Sequence, residues 1–211
     1  MTTRAGANLK PAGLALALAI AMLLSSGCAR VTETLELTGN VAAVPPQPIG
    51  AERLYVALPE TGARATLAPV SRRDGVTVWQ TLDGITLSLR EGLLVATRGL
   101  GDDLMSADVS GQLSVLRMAG NDDYRPHIRS YLDGDDQTVF RGYQCRRISR
   151  VKTTLRIEGS ARAARRVEVQ CTAPTRTFTN LYWIDATGAV LKSRQWISPT
   201  MQYMETQRVM R

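Results

Sequence analysis

The stretch ITLSLREGLLVAT, residues 85–97, decides how this chain folds. Ile85, Leu87 and Leu89 fall at every second position, with Thr86, Ser88 and Arg90 between them. A period of two marks a strand with one face buried. Glu91-Gly92 then offers a two-residue turn, because glycine enters the positive-φ region without steric cost. Leu93 to Thr97 supplies the returning strand. The quoted stretch is therefore a β-hairpin.

Working outward, the same pattern repeats in both directions. Upstream, residues 54–58, 65–70 and 76–79 are short strand candidates, with turns at Arg73-Asp74-Gly75 and Asp83-Gly84. Downstream, strands are expected at 112–118, 124–132, 137–147, 151–157, 165–172, 176–184, 190–196 and 203–209. Gly120-Asn121-Asp122, Asp133-Gly134-Asp135, Glu158-Gly159-Ser160, Asp185-Ala186-Thr187-Gly188 and Ser198-Pro199 separate them. Beyond a possible single turn at 161–165, no segment after residue 28 holds a helical period. Many short strands at roughly 8–12-residue spacing predict an all-β fold. It is a single antiparallel domain, barrel-like or a sandwich, and barrel closure best removes the exposed edges.

The N-terminus reads differently. Arg4 and Lys10 precede an uncharged apolar run, 14–24, followed by Ser25-Ser26-Gly27-Cys28. A basic start, a short apolar run and small residues make a secretory signal. The run is shorter than the about 20 residues a spanning helix needs. Gly27-Cys28 resembles a bacterial lipobox, although Ser25 stands where leucine is usual. The expected organisation is a signal peptide over 1–27, a lipidated Cys28 with a proline-rich tether over 28–50, and a β domain over 51–211. The tether includes a strand-like run at 31–38. Two acyl chains would anchor such a protein stably.

Charge is uneven. The chain holds 26 Lys plus Arg against 19 Asp plus Glu, and setting aside Arg4 and Lys10 leaves 24 against 19. Only residues 10, 152 and 192 are lysine, so the positive charge is mostly arginine, the better bidentate partner for carboxylate and phosphate. Residues 141–166 carry nine bases and one acid, Glu158. Strand parity turns Arg146 and Arg166 outward together, with Arg150 and Arg162 nearby on turns, as a candidate polyanion-binding surface. Solvated strand faces are the plain alternative. Cys145 and Cys171 remain once Cys28 is lipidated, and an oxidising compartment would pair them as a disulfide. No metal site or cofactor is expected, since His127 is the only histidine and the cysteines lack ligand spacing.

Catalytic signals are thin. No Gly-x-Ser-x-Gly occurs, and His127 suits a structural or surface role. Asp102-Asp103 and Asp135-Asp136 are adjacent carboxylates, but neighbours on an extended chain point to opposite sides, so turn chemistry explains them better than glycoside hydrolysis. Aromatics are more suggestive. Phe178, Asn180, Tyr182 and Ile184 share one strand face and suit the core, whereas Arg194, Gln195 and Trp196 are a candidate sugar-binding group.

Several stretches together resemble the YjbF/GfcB family, the group 4 capsule polysaccharide lipoproteins. They are Thr97-Arg98-Gly99-Leu100-Gly101-Asp102-Asp103-Leu104, the Tyr143-x-Cys145 strand, Cys171, Asn180-Leu181-Tyr182-Trp183 and Ser193-Arg194-Gln195-Trp196-Ile197-Ser198-Pro199. The resemblance implies a mostly-β, barrel-like domain in an outer-membrane lipoprotein linked to exopolysaccharide or capsule export. It brings no catalytic residues. The expected function is non-enzymatic: a periplasm-facing, lipid-anchored protein that binds the polymer or an export partner, with no nucleic-acid partner. A polysaccharide-processing enzyme using paired carboxylates and a periplasmic lipid-binding barrel are the alternatives.

Overall fold

The computed structural model describes residues 47–117 and 123–209. The signal segment, Cys28 and the strand expected over 31–38 lie outside the described residues. Among the described residues twelve strands run in chain order: β1 (Arg53–Leu58), β2 (Ala63–Arg73), β3 (Val76–Gln80), β4 (Thr86–Arg90), β5 (Leu93–Arg98), β6 (Leu104–Asp108), β7 (Arg125–Leu132), β8 (Thr138–Ile157), β9 (Ser160–Ala173), β10 (Arg176–Ile184), β11 (Val190–Trp196) and β12 (Tyr203–Val209). Among the described residues one helix, α1 (Ser110–Arg117), lies between β6 and β7. All ladders are antiparallel, in the order β5-β4-β3-β2-β1-β12-β11-β10-β9-β8-β7-β6. The first and last strands thus pair with each other, and the ends of the order, β5 and β6, pack side by side. The sheet is a nearly closed barrel.

The hairpin quoted first is β4–β5. Leu87, Leu89, Leu93 and Leu94 are buried. Arg90 pairs with Leu93 across Glu91 and Gly92, both at positive φ, the two-residue turn whose twist matches the strands. Gly92 is needed for a second reason: a Cβ there would meet Val190 Cβ at 2.5 Å. Asp74-Gly75 and Glu158-Gly159 form the same kind of turn between β2 and β3 and between β8 and β9.

Inward side chains make two clusters. Leu54, Leu67, Trp79, Leu87, Leu104 and Met204 fill one, with Tyr131 and Ile197. Val167, Val169, Phe178, Tyr182 and Ile184 fill the other, with the cysteines and Val115 of α1.

Four expectations are corrected. In place of the strand expected at 112–118, residues 110–117 are helical. Gln112, Val115 and Leu116 are the buried positions, a spacing of three and four, and the Asp108 carboxylate accepts from Ser110 N at 2.9 Å at its start. Short apolar runs are ambiguous between the two periods. Residues 104–108, unassigned from sequence, form β6. The strands expected at 137–147 and 151–157 are one, β8, whose register shift between Arg147 and Ser149 absorbs the irregularity. The turn considered at 161–165 lies inside β9.

Candidate functional site

The long β8–β9 hairpin carries the basic segment. Cys145 and Cys171 are register partners with Cα atoms 4.0 Å apart, both buried and joined by a disulfide. Gln112 of α1 donates its side-chain amide to Cys171 Sγ at 3.3 Å. With the cysteines inward, alternation sends Arg146 outward, where its guanidinium lies 5.1 Å from the Tyr124 ring centroid.

The four candidate arginines do not converge as expected. Arg146 stands opposite Gln170, and Arg166, even-numbered like Gln170, projects to the same side of β9. Arg166 is held by Glu168 at 2.7 Å, so part of its charge is already answered. Arg150 and Arg162 are not on turns. Both lie within strands, Arg150 opposite Val167 and Arg162 opposite Leu155. The shift at Arg147–Ser149 reverses the parity of the remaining β8 residues, so Arg150 shares its side with buried Val167 and not with Arg146. Burial, and then the like charges of Arg165 and Arg147, push the Arg150 pKa down. Arg162 lines a crevice of about 240 Å³ with Glu158, Asp185 and Arg208.

The candidate sugar group divides as well. Gln195 is buried and ties β11 to β5: its Oε1 accepts from Leu94 N at 2.9 Å and Tyr182 OH at 3.3 Å, while its Nε2 donates to Gly92 O at 2.9 Å. Trp196 is buried too, stacked on Phe178 at 5.7 Å with Arg176 over its ring, and its backbone N donates to Asn180 Oδ1 at 2.8 Å. Arg194 is half-buried with its guanidinium 3.6 Å from the Tyr203 ring centroid. The interior takes Gln195 because each of its polar atoms finds a partner there.

Residues 97–104 have a structural part. Thr97 Oγ1 accepts from Leu104 N at 3.0 Å, and Arg98 donates to the carbonyls of Leu104 and Met105 at 3.2 and 3.3 Å. Asp103 accepts from Thr97 Oγ1, Gly99 N and Leu100 N at 2.7, 2.8 and 3.1 Å. The stretch is a clasp across the β5–β6 seam. Asp102 accepts from Thr200 N at 3.4 Å, and Asp133 accepts from Asp135 N and Gln137 N at 3.0 and 2.9 Å, so these acids stabilise turns.

His127, expected in a structural or surface role, and Arg129, which the sequence reading did not single out, are both interior. His127 is buried with Nδ1 2.8 Å from Asp108 O, and burial, reinforced by the nearby Arg129 cation, pushes its pKa down to about 3. Arg129 is buried, donates Nη2 to Trp196 O at 2.9 Å, and lies 5.7 and 5.9 Å from the Tyr131 and Phe178 ring centroids. Its Nε and Nη1 have no hydrogen-bond partner among the described residues, and desolvation pushes its pKa down. The alternation His127, Arg129, Tyr131 was the available signal. Among the described residues, no group of three or more histidine, cysteine, aspartate or glutamate side chains could hold a metal.

Comparison with solved structures finds the hypothetical lipoprotein YmcC from Escherichia coli, with a TM-score of 0.65, 22% identity, and coverage of 86% of this chain and 94% of that one. It shares the fold. A putative exported protein with a YmcC-like fold from Bacteroides fragilis is 9% identical over 76% of this chain and 95% of that one, with a TM-score of 0.30, too low to bear on the fold. No curated protein matches the chain. A family model described as group 4 capsule polysaccharide lipoprotein gfcB, YjbF matches residues 41–209, and the chain belongs to that family.

Proposed function

We propose that this protein is a non-catalytic, periplasm-facing lipoprotein of the outer membrane, anchored through Cys28 after removal of residues 1–27, that assists capsule or exopolysaccharide export by binding an acidic polymer. Family membership ties the chain to capsule polysaccharide biology and to the cell envelope. The observation that carries the binding reading is the β8–β9 arm. Nine bases and one acid fall within 141–166, and Arg146 and Arg166 project to the same outward side of the β8–β9 pair. A polyanion laid along that outward face is drawn to its positive charge. The outward pair Arg146 and Arg166 gives it a first contact, with Arg166 shared with Glu168.

The contacts are exposed and screened over about 8–10 Å at physiological salt. Binding of polygalacturonate, followed by fluorescence anisotropy, is expected to be weak and to fall steeply from low to physiological salt. Arg146→Glu with Arg166→Glu abolishes it while the melting temperature holds. Equal binding by parent and double variant refutes the polymer reading. Release of new reducing ends from the purified capsule polymer refutes the non-catalytic one.

A further inference from the structure

The β2–β3 ladder begins at Ala68–Gln80. On the other side of β2, pairing with β1 continues through Ala63. The chain beyond Gln80 instead turns away through Thr81 and Ile85, whose mutual bonds close their own loop. The barrel wall therefore parts between residues 63–67 and the β3–β4 turn. The parting is a cleft of about 410 Å³, within the roughly 300–1,000 Å³ of small-molecule sites.

Its lining is apolar in a way the sequence explains. Ala63 and Ala65 share the side of β2 that Leu67 buries, and their small side chains leave the space that a larger residue would fill. Val56, Leu87, Leu100 and Met204 form the rest of the wall. Leu82, among the lining residues, is fully exposed. The polar rim is Arg64, Thr66, Thr81 and Asp83, and Arg64 is the one cation among the lining residues.

We propose that this cleft holds one acyl chain of a membrane phospholipid, with Arg64 beside the phosphate and Leu82 covering the chain. An apolar tail fits the wall, and an anionic head complements Arg64. Each methylene taken from water changes affinity about fourfold. The proposal is separate from polymer binding, since the cleft and the β8–β9 arm share no residue.

The full-length chain, reconstituted in nanodiscs with a trace of phosphatidylglycerol carrying a diazirine on its acyl chain, provides the test. After illumination, adducts are expected on the peptides holding residues 56–67 and 81–87. Ala63→Trp, at an exposed position, is expected to reduce them about tenfold with an unchanged melting temperature, and Ala65→Trp to do the same one step deeper. Adducts spread evenly over the domain, or undiminished in both variants, overturn the proposal. Adducts on these peptides that appear only in Cys28→Ser also overturn it, by assigning the cleft to the chain's own anchor.

Discussion

The β5–β6 seam and the β8–β9 arm are both dense in charged and polar residues, yet they use them in opposite ways. At the seam, Thr97, Arg98 and Asp103 are all spent on backbone or side-chain partners within a few residues. Gln195 reaches the same strand from across the barrel. On the arm, most side chains from Lys152 to Ala163 are exposed or half-buried, and over residues 141–166 bases outnumber acids nine to one. The difference is geometric. The seam brings two strands together without a ladder between them, so side chains must satisfy the backbone there. The arm pairs with itself through a ladder broken only at the shift after Arg147, and its outward side chains face the solvent. Polar residues at the seam hold the fold, and many of those on the arm face solvent.

Experiments can break this comparison, and the disulfide at the base of the arm gives the largest expected effect. Cys145→Ala with Cys171→Ala removes a link with a sequence separation of 26 and should cost about 3–4 kcal/mol in the chain-entropy model. Urea unfolding measures it, and an unchanged midpoint means that the arm is tied by its ladder alone. Free-thiol labelling of the denatured, unreduced parent should find neither cysteine.

Next is Gln195→Ala, which leaves Leu94 N, Gly92 O and Tyr182 OH without their partner. Buried groups orphaned in this way cost about 1–3 kcal/mol each before relaxation, so a loss of about 3 kcal/mol is expected. A loss below about 1 kcal/mol would mean that water replaces the amide and that the seam is wetter than its burial suggests.

The buried imidazole gives a pH-dependent effect. The folded His127 pKa is about 3 against an ordinary 6.5, so between these values the unfolded chain binds the extra proton. Stability from this group is present above about pH 6.5 and is lost as pH falls toward 3, with a slope of at most about 1.4 kcal/mol per pH unit. Asp108 and Asp185, whose pKa values are lowered, contribute only below their ordinary value of 3.8. The window from 6.5 to 4 therefore isolates the histidine. His127→Gln should flatten stability there, and an unchanged slope would reassign it.

The smallest stability change should come from the arm itself. Arg146→Glu at an exposed site is expected to shift stability by no more than about 0.5 kcal/mol. A larger loss places Arg146 among the residues that hold the fold, and the contrast between the two regions fails.

Much of the fold was legible because hairpins write themselves locally. Asp74-Gly75, Glu91-Gly92 and Glu158-Gly159 each sit at positive φ between paired strands, where the sequence put them. The alternation of Leu87 and Leu89 named the buried face correctly. The helix at 110–117 was not legible, because Val115 and Leu116 fit an apolar strand as well as the inner face of a short helix until α1 is seen against the disulfide. The candidate site was half legible. Parity placed Arg146 correctly, but the shift after Arg147 reversed it for Arg150, and a register shift is decided by the partner strand.

The sequence by itself determined that this chain makes antiparallel hairpins, that Cys145 and Cys171 face inward, and that the positive charge concentrates between 141 and 166. Those are properties of neighbours in the chain, read from period two and from glycine. Only the tertiary structure decided that β1 meets β12, that residues 97–104 clasp a seam, that Gln195 and Trp196 belong to the interior, and that the wall parts beside Ala63 and Ala65. Each of these depends on which strand lies beside which over long sequence separations. Closing the sheet on itself chooses those partners, and no local pattern carries that information.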